Sequence, residues 1–221
     1  DFVFAGAWLS GSVGRLAKDV MRRLPDTVQY ISESYGSSEA MYTIPTEFNC
    51  PYGPAAVYSC YFEFLSLDGS GRIVDMAHVE DGRYYELLIT TYSGLYRYNL
   101  QDIVRIDGFV GKTPNITFCG KSSEFITVQD RKIYGYQFTD LVYRAEKKLG
   151  VEFDLVQILA SDKGFYYVLE SKDEIDYAAL KAILDTDSKQ TMDVVSEGIY
   201  VMAHDYKDHL FTQYTREDRG A

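Results

Sequence analysis

The sequence predicts a mixed α/β protein, α+β in its segregation, built in two parts, and three observations carry that reading. Near the start, a strand-like run, a helical stripe and a second strand-like run follow one another, the order of an α/β unit. In the middle of the chain, β-branched and aromatic residues crowd short runs separated by glycine turns, the pattern of a β-barrel-like sheet. After Gly120 the order becomes β-α-β-β-α-β, the split pattern of a small ferredoxin-like domain. The joint falls near residues 120–124, giving domains of residues 1–121 and 122–221.

Taken in order, residues 2–8 read as a buried strand and Ser10-Gly11-Ser12 as a small-residue turn. Val13, Leu16, Ala17, Val20, Met21 and Leu24 then recur at helical spacing, with Ser12 placed to cap the helix and Pro25 to stop it. Residues 28–32 form a second strand that runs into Tyr35-Gly36-Ser37-Ser38-Glu39. Pro51, Gly53 and Pro54 mark a loop, and residues 57–67 a strand. Asp68-Gly69-Ser70-Gly71 turns the chain, with strands resuming near Ile73 and the sheet ending near Phe118. Farther on, residues 125–128 and 132–134 pair around Gln129-Asp130-Arg131. Phe138, Leu141, Val142, Ala145 and Leu149 make a helical stripe that Gly150 stops. Strands over 153–160 and 165–170 follow, joined across Asp162-Lys163-Gly164. Ser171-Lys172-Asp173-Glu174 has capping-box spacing and opens a second helix to about Leu184, and a strand over 194–203 closes the pattern.

Composition narrows the function classes. A net charge of -11 argues against nucleic acid or an anionic membrane as the main partner. Any anionic ligand then needs backbone amides, a metal ion or a local lysine to hold it. Cys50, Cys60 and Cys119 show no CxxC spacing and read as reduced thiols of a cytoplasmic protein. His78, His204 and His209 form no metal-ligand pattern. No membrane-length apolar run or leader is visible, and the start on DFVFAGAW without a methionine reads as a piece of a longer protein.

Two stretches carry polar groups where chemistry can happen. The run from Tyr84 to Asp102 is a strand ending in a threonine pair, a break at Gly94, and a second aromatic run that leads to a single carboxylate. Asp102 there can accept two hydrogen bonds from a vicinal diol such as a ribose, or it can simply close a turn. In YGSSE, Ser37 and Ser38 can face phosphate oxygens and Glu39 a magnesium ion, with Tyr35 against a base. An ordinary serine-rich turn with Glu39 capping a helix fits the same five residues.

Read together, the stretches say more. YGSSE, CYFEFLSLD at 60–68, YELLITTYSGLYRYNLQDIVRIDGF at 85–109 and TPNITFCGKSSEFIT at 113–127 resemble, in order and spacing, the motifs of adenylate-forming enzymes. More closely, the chain resembles the auxin-responsive Gretchen Hagen family of plant acyl acid–amido synthetases and its bacterial relatives, over about residues 7–149, and a bacterial-type member is expected. The resemblance implies an enzyme that activates a small carboxylic acid with ATP and magnesium, then passes the acyl group to an amino acid. It implies Ser38 and Glu39 in catalysis, with Glu39 at the magnesium. It also implies Tyr35 against adenine, Ser37 at the α-phosphate, Asp102 on the ribose, and Ser10, Gly11 and Ser12 along the adenine pocket. Residues 1–121 would be the later portion of the large nucleotide-binding domain and residues 122–221 the mobile C-terminal lid, pivoting at Ser123.

The chain also departs from the family. The phosphate loop would precede Asp1 and the late adenylation lysine would follow Ala221, so this segment alone is expected to be inactive. Where the family carries Arg-Val-Gly-Asp, this chain has Asn99-Leu100-Gln101-Asp102. The connection over 185–194 is shorter than the family leads one to expect. Two alternatives stay open: a ligase whose acceptor is coenzyme A or a carrier thiol, and a non-catalytic binding protein that kept the fold.

Overall fold

The computed structural model describes residues 5–7, 24, 25 and 27–203. The chain divides into two compact units, Asp1–Glu124 and Phe125–Ala221. In the first, β1 (Ala5–Ala7) and β2 (Tyr30–Ser32) pair in parallel, with Ala5 opposite Tyr30. A parallel pair needs a crossover connection. The helix expected there lies almost wholly outside the described residues, and so do Ser10, Gly11 and Ser12.

The remaining strands of the first unit form one antiparallel sheet. Its strands are β3 (Gly53–Pro54), β4 (Cys60–Ser66), β5 (Ile73–Asp75), β6 (Tyr84–Thr91), β7 (Tyr98–Val110) and β8 (Thr113–Lys121). They lie in the order β3-β8-β7-β6-β4-β5. The sheet does not close into the expected barrel among the described residues: its edges are β3, of two residues, and β5, of three, and they do not pair. Side chains alternate along the strands as a two-sided sheet requires. Cys60, Phe62 and Phe64 of β4 meet Tyr85, Leu87 and Ile89 of β6, and Val104, Ile106 and Ile116 complete the cluster. Each large side chain so buried contributes roughly 1.5–3 kcal/mol. The sheet runs three residues past Phe118, to Lys121, and that extension carries part of the site.

The second unit opens with the hairpin of β9 (Phe125–Val128) and β10 (Arg131–Tyr134). Its turn is two residues, not three, because Gln129 and Asp130 both take positive φ (49° and 65°), the twist that a tight hairpin demands. Helix α1 (Gly135–Leu149) buries Phe138, Leu141, Val142 and Ala145 on one face. Gly150 ends it at φ 69°, its N–H donating to the Glu146 carbonyl at 2.8 Å.

The remaining elements are β11 (Leu155–Ala160), β12 (Phe165–Ser171), α2 (Tyr177–Met192) and β13 (Gly198–Ala203). Their order along the chain is as expected, but the sheet is not ferredoxin-like. Among the described residues, β11, β12 and β13 form a three-stranded sheet in that order, with β13 parallel to β12, while β9 and β10 pair only with each other. The expected capping box at Ser171 is also displaced. Ser171 stays in β12 opposite Ala203, and its hydroxyl donates to the Glu152 carbonyl at 2.8 Å. The helix begins later, where the Asp176 carboxylate accepts the Ala179 N–H at 3.0 Å. It also runs on to Met192, so most of the segment expected to be a short connection is the end of α2.

Candidate functional site

YGSSE folds as the tip of a small hairpin and caps no helix. Gly36 bridges Met41, the Tyr35 carbonyl accepts the N–H groups of Tyr42 and Thr43, and the Ser37 N–H donates to the Ala40 carbonyl at 3.0 Å. Thr43 Oγ1 closes the far end by accepting the Tyr35 N–H at 2.9 Å. Within the tip, the Ser37 hydroxyl bonds both the Glu39 carboxylate and the Tyr42 phenol, and it accepts the Glu39 N–H at 3.2 Å. The Ser37 hydroxyl and then its own backbone amide hold the Glu39 carboxyl below the usual range, and the Lys121 charge acts in the same sense. Ser38 and Glu39 thus stand at an accessible turn with the carboxylate ionised.

Asp102 is brought beside this hairpin by an irregularity in β7. Leu88 pairs with Asn99 and Glu86 with Ile103, so Leu100, Gln101 and Asp102 together face the single residue Leu87. Bulges of this kind re-aim side chains and recur beside active sites. Gln101 takes φ 57°, a conformation natural to glycine, and its N–H donates to Asn99 Oδ1 at 2.7 Å. A backbone shape natural to glycine is thus held here by a side chain two residues earlier.

The Asp102 side chain is almost completely buried. Tyr35 donates its hydroxyl to Asp102 Oδ2 at 2.6 Å, across 67 residues of sequence. The Lys121 ammonium forms an ion pair with Oδ1. Lys121 is the direct cross-strand partner of Asp102, and its ammonium also lies 3.4 Å from the Leu100 carbonyl on the bulge. The Tyr35 ring lies against Tyr42 (centroids 4.9 Å apart) and Phe118 (5.3 Å). Burial above all, and then the Asp102 charge, push the Tyr35 phenol well above its ordinary range, so it remains a donor.

Of the expected site residues, Tyr35, Ser37, Glu39 and Asp102 gather within one connected network, while Ser38 lies exposed on the same turn. Lys121 is the member that the sequence reading missed. Ser123 sits exposed in a turn whose Glu124 N–H donates to the Lys121 carbonyl at 3.0 Å, just before the boundary between the units. No cluster of three or more metal-ligating side chains exists among the described residues. A single carboxylate such as Glu39 nevertheless fits magnesium, which commonly binds through one carboxylate plus substrate phosphates.

Comparison with known proteins assigns this sheet. Residues 54–121 match the GH3 family central domain. A probable indole-3-acetic acid-amido synthetase of Oryza sativa subsp. japonica is 32% identical over 154 residues, covering 62% of this chain and 34% of the relative. An indole-3-acetic acid-amido synthetase of Arabidopsis thaliana is 37% identical over 112 residues, covering 44% and 18%. The chain thus spans about a third or less of the length of these curated relatives. In structure, an acyl acid amido synthetase, GH3.15, superposes with a TM-score of 0.69 at 20% identity, over 98% of this chain and 42% of that one. These relatives are plant proteins or a likeness of fold, and they lend nothing to the expected bacterial type. Residues 54–121 thus resemble the GH3 family central domain in sequence, and the chain resembles a GH3 acyl acid amido synthetase in fold.

Proposed function

We propose that the protein joins a small carboxylic acid to an amino acid by way of an ATP-derived acyl-adenylate. The observation that carries this reading is the meeting of Tyr35, Asp102 and Lys121 at the edge of the YGSSE hairpin, three groups from three separate motifs. In the first step a substrate carboxylate oxygen attacks the α-phosphorus of ATP, and the bond to pyrophosphate breaks. In the second, an amino-acid nitrogen attacks the acyl carbon, AMP leaves, and the nitrogen gives up a proton.

The chain's own residues position and neutralise charge. Asp102 accepts the ribose hydroxyls and Tyr35 borders the adenine. Ser37 and Ser38 offer hydroxyls to the α-phosphate, and Ser10, Gly11 and Ser12 line the adenine side. Glu39 holds magnesium, which when bound offsets the charge on the phosphates. Residues 1–121 are the nucleotide-binding portion and residues 122–221 the lid, with Ser123 the pivot between half-reactions. Three free cysteines favour a reducing, cytoplasmic setting. No described helix is long and apolar enough to cross a membrane.

The glycine-like backbone at Gln101, held by Asn99 beside Asp102, favours a working nucleotide site over a fold kept without turnover. Acid-dependent ATP–pyrophosphate exchange by the full-length protein tests the first step. Conjugate formation with amino acids but not with coenzyme A tests the second. Absence of exchange with every acid in a broad panel overturns the reading, and product with coenzyme A alone reassigns the acceptor.

A further inference from the structure

We infer that Tyr35 acts through its hydroxyl as the positioning residue of Asp102, fixing the carboxylate to receive the two ribose hydroxyls. The inference rests on the nucleotide-site reading above and goes beyond a role for the Tyr35 ring at the base. Asp102 lies on a backbone bulge, where the regular ladder no longer sets the direction of its side chain. Two groups restrain it. Lys121 is a flexible ammonium whose side chain is 45% exposed, and it can follow the carboxylate wherever it turns. Tyr35 cannot. Its ring is wedged between Tyr42 and Phe118, and its backbone N–H and carbonyl are both engaged within the hairpin. A rigid phenol that donates at 2.6 Å to Oδ2 fixes the plane of the carboxylate. It also takes one lone pair of Oδ2, so Tyr35 limits which acceptor positions of the carboxylate are left for the ribose hydroxyls.

The test compares binding of AMP and 2′,3′-dideoxy-AMP to the chain, by calorimetry, in wild type, Tyr35→Phe and Asp102→Asn. Tyr35→Phe keeps the ring and its packing and removes only the donor, and a thermal melt verifies that the variant is folded. The wild type is expected to prefer AMP by about tenfold or more, since charged hydrogen bonds of this kind are at stake. Asp102→Asn is expected to abolish that preference. In Tyr35→Phe the preference is expected to fall to about threefold or less, with affinity for the dideoxy nucleotide unchanged; a purely structural loss would weaken both nucleotides alike. Full preference in Tyr35→Phe, alongside its loss in Asp102→Asn, overturns the positioning role alone. A wild type that binds both nucleotides equally, or an Asp102→Asn variant that keeps the preference, overturns the ribose assignment on which the inference stands.

Discussion

Each unit holds a buried aspartate paired with a lysine, and the contrast between the two pairs separates architecture from chemistry. Asp102 pairs with Lys121 in the first unit and Asp187 with Lys148 in the second. Exposure does not tell them apart: the aspartate side chains are 4% and 10% exposed and the lysines 45% and 51%. The surroundings do. Asp187 lies within α2 on regular helical backbone, and both its oxygens go to one lysine of α1, at 3.0 and 2.9 Å. That pair ties two packed helices together. Asp102 lies on a bulge after a residue of positive φ, and it divides its oxygens between a tyrosine and a lysine. A buried ion pair is therefore weak evidence of function, while an irregular backbone built to hold one carboxylate is stronger.

The largest effect that can break this contrast is on nucleotide affinity. Asp102→Asn is expected to cost at least tenfold in AMP affinity, since hydrogen bonds to a charged acceptor are worth roughly 1.5–3 kcal/mol each. Asp187→Asn is expected to leave affinity unchanged and to lower stability by about 1 kcal/mol or less, its lysine being half-exposed. Calorimetric titration and denaturant unfolding of both variants read the two quantities separately. Equal affinity losses would show that the two pairs do not differ in kind.

Much of the first unit was legible because short-range signals fixed it: alternation along residues 60–66 and 84–91, and the glycine turn before Ile73. The Asp102–Lys121 pairing was within reach too. Counting back along a hairpin from the turn at Gly111-Lys112 sets Lys121 opposite Asp102, and the two register shifts along β7 cancel. It was missed because the aromatic and β-branched pattern gives out at Phe118, before the strand does. Other features had no local signal. The Tyr35–Asp102 bond joins residues 67 apart, and the positive φ at Gln101 is imposed by the bulge. In the second unit, the Ser171 pattern met every local rule for a cap and was overridden by strand pairing with Ala203. The three-stranded sheet likewise depends on which strands β13 meets, which periodicity does not encode.

A smaller effect sharpens the contrast through pH. Tyr42 is fully buried, and burial first of all pushes its phenol up to about 12, against the opposing Ser37 bond. The folded state thus favours the neutral phenol. That contribution is complete below about pH 10 and is lost as pH rises toward 12, where the unfolded chain ionises first. Tyr35 adds to the same alkaline loss. Tyr42→Phe is expected to cost about 1 kcal/mol near neutral pH, through the lost Ser37 bond, and to flatten the decline between pH 10 and 12. Unfolding measured across that range reads both. A decline as steep as that of wild type would mean that other tyrosines carry it.

The smallest effect is one of sign, and it probes the backbone beside each aspartate. Gln101 precedes Asp102 at φ 57°, where an L-residue pays roughly 1–2 kcal/mol that glycine does not. Gln101→Gly removes that strain but adds freedom to the unfolded chain, worth roughly 0.5–1 kcal/mol. The net expectation is a gain of about 0.5 kcal/mol. Thr186 precedes Asp187 inside α2, where the backbone is helical and glycine is the poorer residue. Thr186→Gly is therefore expected to lose a few tenths of a kcal/mol. Asn99→Ala connects the first result to its cause. The Asn99 carboxamide accepts the Gln101 N–H and holds the positive φ, so its removal should cost about 1 kcal/mol in the wild-type background. In the Gln101→Gly background the same removal should cost less, because glycine adopts the shape unaided. Unfolding free energies of the single and double variants decide the matter. If Gln101→Gly destabilises as Thr186→Gly does, the backbone before Asp102 is ordinary, and the contrast between the two aspartates loses its structural basis.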